Sequence, residues 1–239
     1  IYSYLSKPGT WVNHEWLAEI SIALAYRTGG AGGLVLLKLA LALTALAAVY
    51  AAARLRGAGV IASCGALTGA ALGLRPVLSP VRPQMFTVLG FALLLFILVR
   101  RDTRPGVVWW LVPVYIVWTN AHGGFLAGVA FLGLAVLIEG YRTLSTAGWR
   151  ALLADPFVTL AQASLAALAA TLINPYGLGL WRFLLRTATV ARPEIVEWQP
   201  LATFPAFMFF VGALAVLGLW ALIRSDRPRS PLLGALYII

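Results

Sequence analysis

Two carboxylates lie four residues apart near the start of the chain, between Asn13 and Glu19. On a helix with Asn13 as its N-cap, Glu15 and Glu19 would share one face. Such a pair could act as general base and partner or hold a divalent cation, and His14 adds a titratable ring. Alternatively, both carboxylates simply favour the positive end of an interfacial amphipathic helix over 14–28. A zinc-protease motif is excluded because position 18 is alanine.

A second set of residues suits a phosphate group. Arg75 and Arg82 bracket a proline-rich turn, Gln84 follows them, and guanidinium groups bind phosphate in bidentate fashion. Asn120 and His122 precede a pair of glycines, where a histidine at membrane depth could donate to a phosphate or move a proton. The alternatives are arginines that snorkel to lipid headgroups and a hairpin histidine that caps a helix end.

A third set suits carbohydrate. Glu197, Trp198 and Gln199 are consecutive, and sugar faces stack on indole rings while sugar hydroxyls bond to amides and carboxylates. We predict that they line a groove for the sugar or the acceptor, together with Asn174 and Tyr176. An interfacial loop would have the same composition at 197–200, and Asn-Pro-Tyr-Gly is also typical of a turn that ends a helix.

The composition excludes a water-soluble globular domain. Of 239 residues, 61% are hydrophobic and only 11% charged, against about a quarter charged in soluble domains. The net charge of +10 indicates basic loops between apolar segments and not a nucleic-acid partner. The single cysteine, Cys64, lies in an apolar segment and makes no disulfide framework. Because the chain starts at Ile1 and ends at Ile239 within an apolar run, we expect a fragment of a longer protein.

Apolar segments predict an all-α polytopic bundle in which residues 1–239 form one transmembrane domain. Backbone polar groups cannot stay unpaired in lipid, so each segment must be helical. A short segment containing Pro113 is predicted to kink, and surface helices are predicted at 14–28 and 178–192. Seven spans, followed by the start of an eighth, are expected at about 31–53, 57–74, 84–99, 106–120, 123–140, 156–173 and 204–223.

The loops divide into two unequal faces. Ten of the 18 Lys and Arg residues fall in loops on one side, which the positive-inside rule assigns to the cytoplasm, and seven fall on the other. Both histidines and the three residue sets above belong to the second, extracytoplasmic face. Phosphate-binding loops, dinucleotide motifs and nucleophile elbows are absent from the sequence. The spans also hold few ionisable groups, which disfavours a proton-coupled transporter.

This arrangement resembles the GT-C class of polytopic glycosyltransferases, which use polyprenyl-phosphate sugars outside the cytoplasm. The chain is also similar to a group of uncharacterised bacterial membrane proteins through five elements. These are Trp-Val-Asn-His-Glu-Trp-Leu at 11–17, Arg-Pro-Gln at 82–84, His-Gly-Gly-Phe at 122–125, Asn-Pro-Tyr-Gly at 174–177 and Glu-Trp-Gln-Pro at 197–200. In the GT-C class, an acidic residue in the first extracytoplasmic loop acts as base or metal ligand, and residues 13–19 occupy that place here. This segment has no Asp and no Asp-x-Asp, so metal dependence does not carry over.

The resemblance implies transfer of a sugar from a polyprenyl-phosphate carrier to an acceptor at the outer face of the bacterial inner membrane. Glu15 would deprotonate the acceptor hydroxyl with support from Glu19, while Arg75, Arg82 and His122 would stabilise the departing phosphate. One alternative is a surface-polysaccharide ligase or polymerase that uses Arg and His in place of a carboxylate. Others are a transporter or flippase of a lipid-linked or anionic solute, and a purely structural membrane subunit.

Overall fold

The computed structural model describes residues 12–73 and 80–190, together with the isolated helical positions Gly212 and Val216. Within these residues the chain is all-α, as predicted. Two short 3₁₀ helices, at Pro105–Trp110 and Trp149–Leu153, come before the α-helices that begin at Leu111 and Phe157. The helices are α1 (Trp16–Leu55), α2 (Val60–Gly73), α3 (Gln84–Arg100), α4 (Leu111–Ala121), α5 (Phe125–Ala147), α6 (Phe157–Ala170) and α7 (Leu178–Thr189).

Glycine divides α1 into two parts. Gly30 has φ +55° and ψ −142°, a conformation that side-chain-bearing residues rarely adopt, and it interrupts the helix there. A Cβ at Gly33 would overlap the carbonyl group of Ala25, so the chain also packs closely on itself at the break. The interruption lies at the boundary between the predicted helix over 14–28 and the predicted span over 31–53.

Within 12–73 and 80–190, two helices are long and apolar enough to cross a membrane, namely α1 and α5. The prediction of six full spans before residue 174 is therefore only partly met. At 1.5 Å per residue, the 14, 17 and 14 residues of α2, α3 and α6 reach about 21 to 26 Å, less than the ~30 Å of hydrocarbon. The predicted span over 204–223 lies outside the described residues, except for Gly212 and Val216.

The segment that contains Pro113 is not one continuous α-helix. The segment 106–120 divides instead into the 3₁₀ helix at Pro105–Trp110 and α4, and Pro113 occupies the first turn of α4. Proline is tolerated there because the backbone N–H groups of a first turn have no intrahelical partner. The proline therefore lies close to the point where the helix type changes.

Trp118 on α4 is the centre of the core. Its side chain is 2% exposed, and the ring of Phe91 meets it edge-on at a centroid distance of 5.0 Å. Gly90 on α3 and Gly128 on α5 both lie against the indole, where a Cβ at either position would overlap the ring. The absence of side chains at these two glycines lets three helices approach one another around a single large ring.

Ion pairs join the helices at the other end of α3. Glu139 on α5 accepts hydrogen bonds from Arg101 at 2.7 Å and from Arg142 at 2.6 Å. Arg56, after α1, lies 3.3 Å from the carboxylate of Asp102. Because α3 runs from the loop that holds Arg82 to this ion-pair network, the network and the predicted site residues lie at opposite ends of the helix.

Candidate functional site

Four predicted site residues come together at the start of α1, the start of α3 and the loop between α4 and α5. One carboxylate oxygen, Oε1 of Glu15, lies 3.3 Å from Nε2 of His122 and 3.7 Å from Nε2 of His14. The guanidinium group of Arg82 is near enough to shift the pKa of both Glu15 and His122. We call His14, Glu15, Arg82 and His122 the His–Glu cluster.

Asn13 positions the segment that carries Glu15. Its backbone N–H donates to the hydroxyl of Tyr176 at 2.9 Å, which fastens the segment to the Asn-Pro-Tyr-Gly turn. Its side-chain oxygen accepts from the N–H of Glu15 at 3.2 Å, and its amide donates to Glu19 at 2.6 Å. The prediction that Asn13 is the N-cap is wrong, since Glu15 occupies that position and α1 begins at Trp16.

Burial shifts the pKa values of Glu15 and His122 in opposite directions. Removal from water raises the pKa of Glu15, aided by the negative charge of Glu19 and opposed by His14 and Arg82. Burial, followed by the charges of His14 and Arg82, lowers the pKa of His122 to about 4. His122 is therefore neutral near pH 7, and Glu15 has become a stronger proton acceptor than an ordinary surface carboxylate.

We expect the shifted pKa of His122 to make the protein lose stability as the pH falls from 6.5 to about 4. An unfolded His122 binds a proton near pH 6.5, whereas the folded ring stays neutral until about pH 4, so acid in this range favours the unfolded state. The thermal unfolding midpoint in detergent should fall more steeply for wild type than for His122→Gln. Glu15 is present in both proteins. Its raised pKa gives stability the opposite pH dependence, and this contribution largely cancels when the two curves are compared. Parallel midpoint curves would contradict the prediction.

Asn120 is committed to protein partners. Its amide donates to the carbonyl groups of Ile116 and Ile173, both at 2.8 Å, and its oxygen accepts from the indole of Trp16 at 2.8 Å. The side chain is buried and joins α1, α4 and the end of α6. These contacts favour a structural role for Asn120 over the predicted contact with a donor phosphate.

Asn174 and Tyr176 also bond within the protein. The oxygen of Asn174 accepts from the N–H of Tyr176 at 2.8 Å, and its amide donates to the carbonyl group of Thr171 at 2.8 Å. This is the turn that the sequence offered as the alternative to a sugar contact, and it positions the Tyr176 hydroxyl against Asn13.

The remaining predicted residues divide into one that is described and four that are not. Gln84 is the first residue of α3, and its buried side-chain oxygen has no hydrogen-bond partner among the described residues. Arg75, Glu197, Trp198 and Gln199 lie outside the described residues. As for the divalent cation, no group of three His, Cys, Asp or Glu side chains is placed to hold a metal within 12–73 and 80–190.

Sequence reasoning missed Thr87 and Trp118. The hydroxyl of Thr87 lies 2.8 Å from Nδ1 of His122 and accepts a hydrogen bond from the indole of Trp118 at 2.9 Å. Thr87 had one available signal, because it is a lone hydroxyl inside an apolar segment, one turn after the Arg-Pro-Gln element.

An apolar cavity lies beside the ring of Trp118. It has a volume of about 480 Å³ and runs between α3, the 3₁₀ helix at Pro105–Trp110 and α4. Trp118 takes part in both places, because its ring lines the cavity and its Nε1 bonds to Thr87 of the hydrogen-bond chain that reaches His122. The lining side chains include Phe86, Leu93, Phe96, Val107, Trp110 and Trp118.

Comparison with known proteins adds no family to this description. No protein-family model matches the sequence, no curated protein matches it, and no solved structure matches the chain. The resemblance to GT-C glycosyltransferases therefore stays a prediction, and any function must be argued from the geometry of the His–Glu cluster.

Proposed function

We propose that the chain belongs to a polytopic membrane glycosyltransferase that takes its sugar from a polyprenyl-phosphate carrier at the extracytoplasmic face. The observation that carries the proposal is the position of the Glu15 carboxylate. It is partly buried, lies against two histidines, and has an arginine near enough to influence its pKa. A base and a phosphate-binding cation beside each other are the two groups that such a transfer needs.

The outward-facing side chains support contact with lipid. Leu36 on α1 is 69% exposed, Ile61 on α2 is 89% exposed and Leu137 on α5 is 71% exposed. Water-soluble proteins rarely expose such large apolar side chains on several neighbouring elements, because each costs about 1.5 to 3 kcal/mol relative to burial. We propose that the shorter apolar helices complete a membrane bundle around α1 and α5.

The apolar cavity supports a lipid-linked donor. A polyprenyl chain needs a hydrocarbon-like surface, and its phosphate needs cations close to one end of that surface. The cavity between α3 and α4 offers the first, and His122 is joined to its Trp118 lining through the hydroxyl of Thr87. A soluble nucleotide sugar would make no use of an apolar cavity.

The chemistry proceeds by displacement at the anomeric carbon. The acceptor hydroxyl oxygen attacks that carbon, its proton passes to the Glu15 carboxylate, and the bond from the anomeric carbon to the phosphate oxygen breaks. Arg82 and the N–H of His122 stabilise the negative charge on the departing lipid phosphate. Glu19 acts through its charge, which raises the pKa of Glu15. The roles of Arg75, Glu197, Trp198 and Gln199 rest on sequence alone.

The test is incorporation of radiolabelled sugar by membranes that contain the full-length protein. We expect transfer from a polyprenyl-phosphate sugar and none from the corresponding nucleotide sugar once the synthesis of the lipid donor is blocked. Membranes without the protein are the control. Movement of the intact lipid-linked sugar across vesicles, with no transfer by folded protein, would overturn the proposal in favour of a flippase.

A further inference from the structure

We infer that Thr87 is a positioning residue, which together with Trp118 holds His122 as the tautomer with its proton on Nε2, directed at Glu15. The catalytic consequence rests on the function proposed above, whereas the tautomer itself does not. The inference rests on three hydrogen bonds among Trp118, Thr87, Gly124 and His122. The indole of Trp118 and the backbone N–H of Gly124 can only donate, and together they determine the directions of the bonds.

The first of these groups is the indole of Trp118. Its Nε1 bears a hydrogen and accepts nothing, so the 2.9 Å contact with Thr87 must be a bond that the hydroxyl oxygen accepts. The hydroxyl of Thr87 is then left with its own hydrogen to donate. It lies 2.8 Å from Nδ1 of His122, to which it can donate.

The second is the backbone N–H of Gly124, which reaches the same ring nitrogen from the other side. It lies 3.0 Å from Nδ1 of His122 and can only donate. A hydrogen on Nδ1 would meet this N–H directly, so Nδ1 must be unprotonated, and the 2.8 Å contact with Thr87 is then a bond that the hydroxyl donates. In a neutral imidazole the single proton must then be on Nε2.

The Nε2–H faces the reacting end of the site. Nε2 lies 3.3 Å from Oε1 of Glu15, so the protonated ring nitrogen is the one beside the carboxylate. This arrangement narrows the role of His122. Because its only acceptor nitrogen is occupied by Thr87 and Gly124, His122 can donate to Glu15 or to a phosphate oxygen but cannot serve as the base.

Nitrogen NMR of histidine-labelled protein in lipid bilayers tests the tautomer directly. The sequence has only two histidines, so a His14→Gln sample leaves the signals of His122 alone. At pH 7 we expect the nitrogen bonded to Cδ2, which is Nε2, to carry the proton and Nδ1 to be unprotonated. A wild-type His122 with its proton on Nδ1 overturns the inference without any variant at Thr87.

Two substitutions at Thr87 then test its part in the arrangement. Thr87→Val keeps the shape and removes the hydroxyl, and we expect a second population with the proton on Nδ1 and about a tenfold loss of transfer, as for one lost hydrogen bond. Thr87→Ser restores the hydroxyl and should recover both the single tautomer and most of the rate. An unchanged tautomer in folded Thr87→Val overturns the inference.

These measurements separate the inference from the proposed function. If no sugar transfer is found for any donor, the nitrogen spectra of wild type, Thr87→Val and Thr87→Ser still decide whether Thr87 controls the ring. If transfer is found but the tautomer is the other one, the function stands and the positioning role fails.

Discussion

Replacing Glu15 with glutamine should lower the rate of sugar transfer at least about 100-fold, since removal of a general base costs 10² to 10⁴ in rate. The change keeps the size of the side chain and an oxygen that can accept from Nε2 of His122, 3.3 Å from Oε1. It removes the capacity to take a proton. The measurement is the initial rate of radiolabelled transfer per amount of folded protein in membranes.

Glu19→Gln is the matched control for Glu15→Gln. Glu19 lies one helical turn further on, is exposed, and accepts a hydrogen bond from Asn13. Its loss removes a repulsion that helps to raise the pKa of Glu15, so we expect a change of only a few-fold. Equal losses in the two variants would show that carboxylate charge near α1 matters in general. A Glu15→Gln protein with full activity would exclude Glu15 as the base.

Gly128→Ala should destabilise the fold by about 3 kcal/mol, the upper end of the usual cost of overpacking a core. An added Cβ would lie 2.5 and 2.6 Å from two ring carbons of Trp118 and 3.3 Å from the hydroxyl of Tyr115. Both aromatic side chains are essentially buried, at 2% and 0% exposure, so relief of the overlap must displace a packed ring. We expect a lower unfolding midpoint in detergent.

Gly133→Ala on the same helix isolates the steric effect. Nothing lies within 4 Å of a Cβ added at Gly133, and alanine favours a helix over glycine by about 1 kcal/mol. The midpoint of this variant should therefore stay the same or rise slightly. A Gly128→Ala protein as stable as Gly133→Ala would mean that α5 does not pack closely on the Trp118 indole.

Local patterns predicted the helices well. Apolar segments and their glycine and proline boundaries are properties of neighbouring residues, so α3 began at the predicted position and α1 broke at Gly30, close to the predicted boundary. Whether each helix is long enough to span the membrane was harder to predict. Whether a run of 14 or 17 helical residues crosses a bilayer depends on tilt and on neighbouring helices, which no local pattern contains.

Glu15, His14, Arg82 and His122 were identified from sequence because residues of unusual type, set on one predicted face, must lie near one another. Asn120, Asn174 and Tyr176 have the same polar character. Only their respective contacts with Trp16, Thr171 and Asn13 indicate that they support the fold. A sequence pattern cannot distinguish an amide that faces a ligand from one that joins two helices.

The sequence by itself determined the all-α class, most helix positions and the face on which the polar residues gather. Only the tertiary structure decided which carboxylate meets the histidines and why His122 donates through Nε2. Those outcomes depend on Thr87, Gly124 and Trp118, which approach one ring from α3, the α4–α5 loop and α4. Because hydrogen-bond direction depends on contacts between residues up to 35 positions apart, it is a property of packing and not of local sequence.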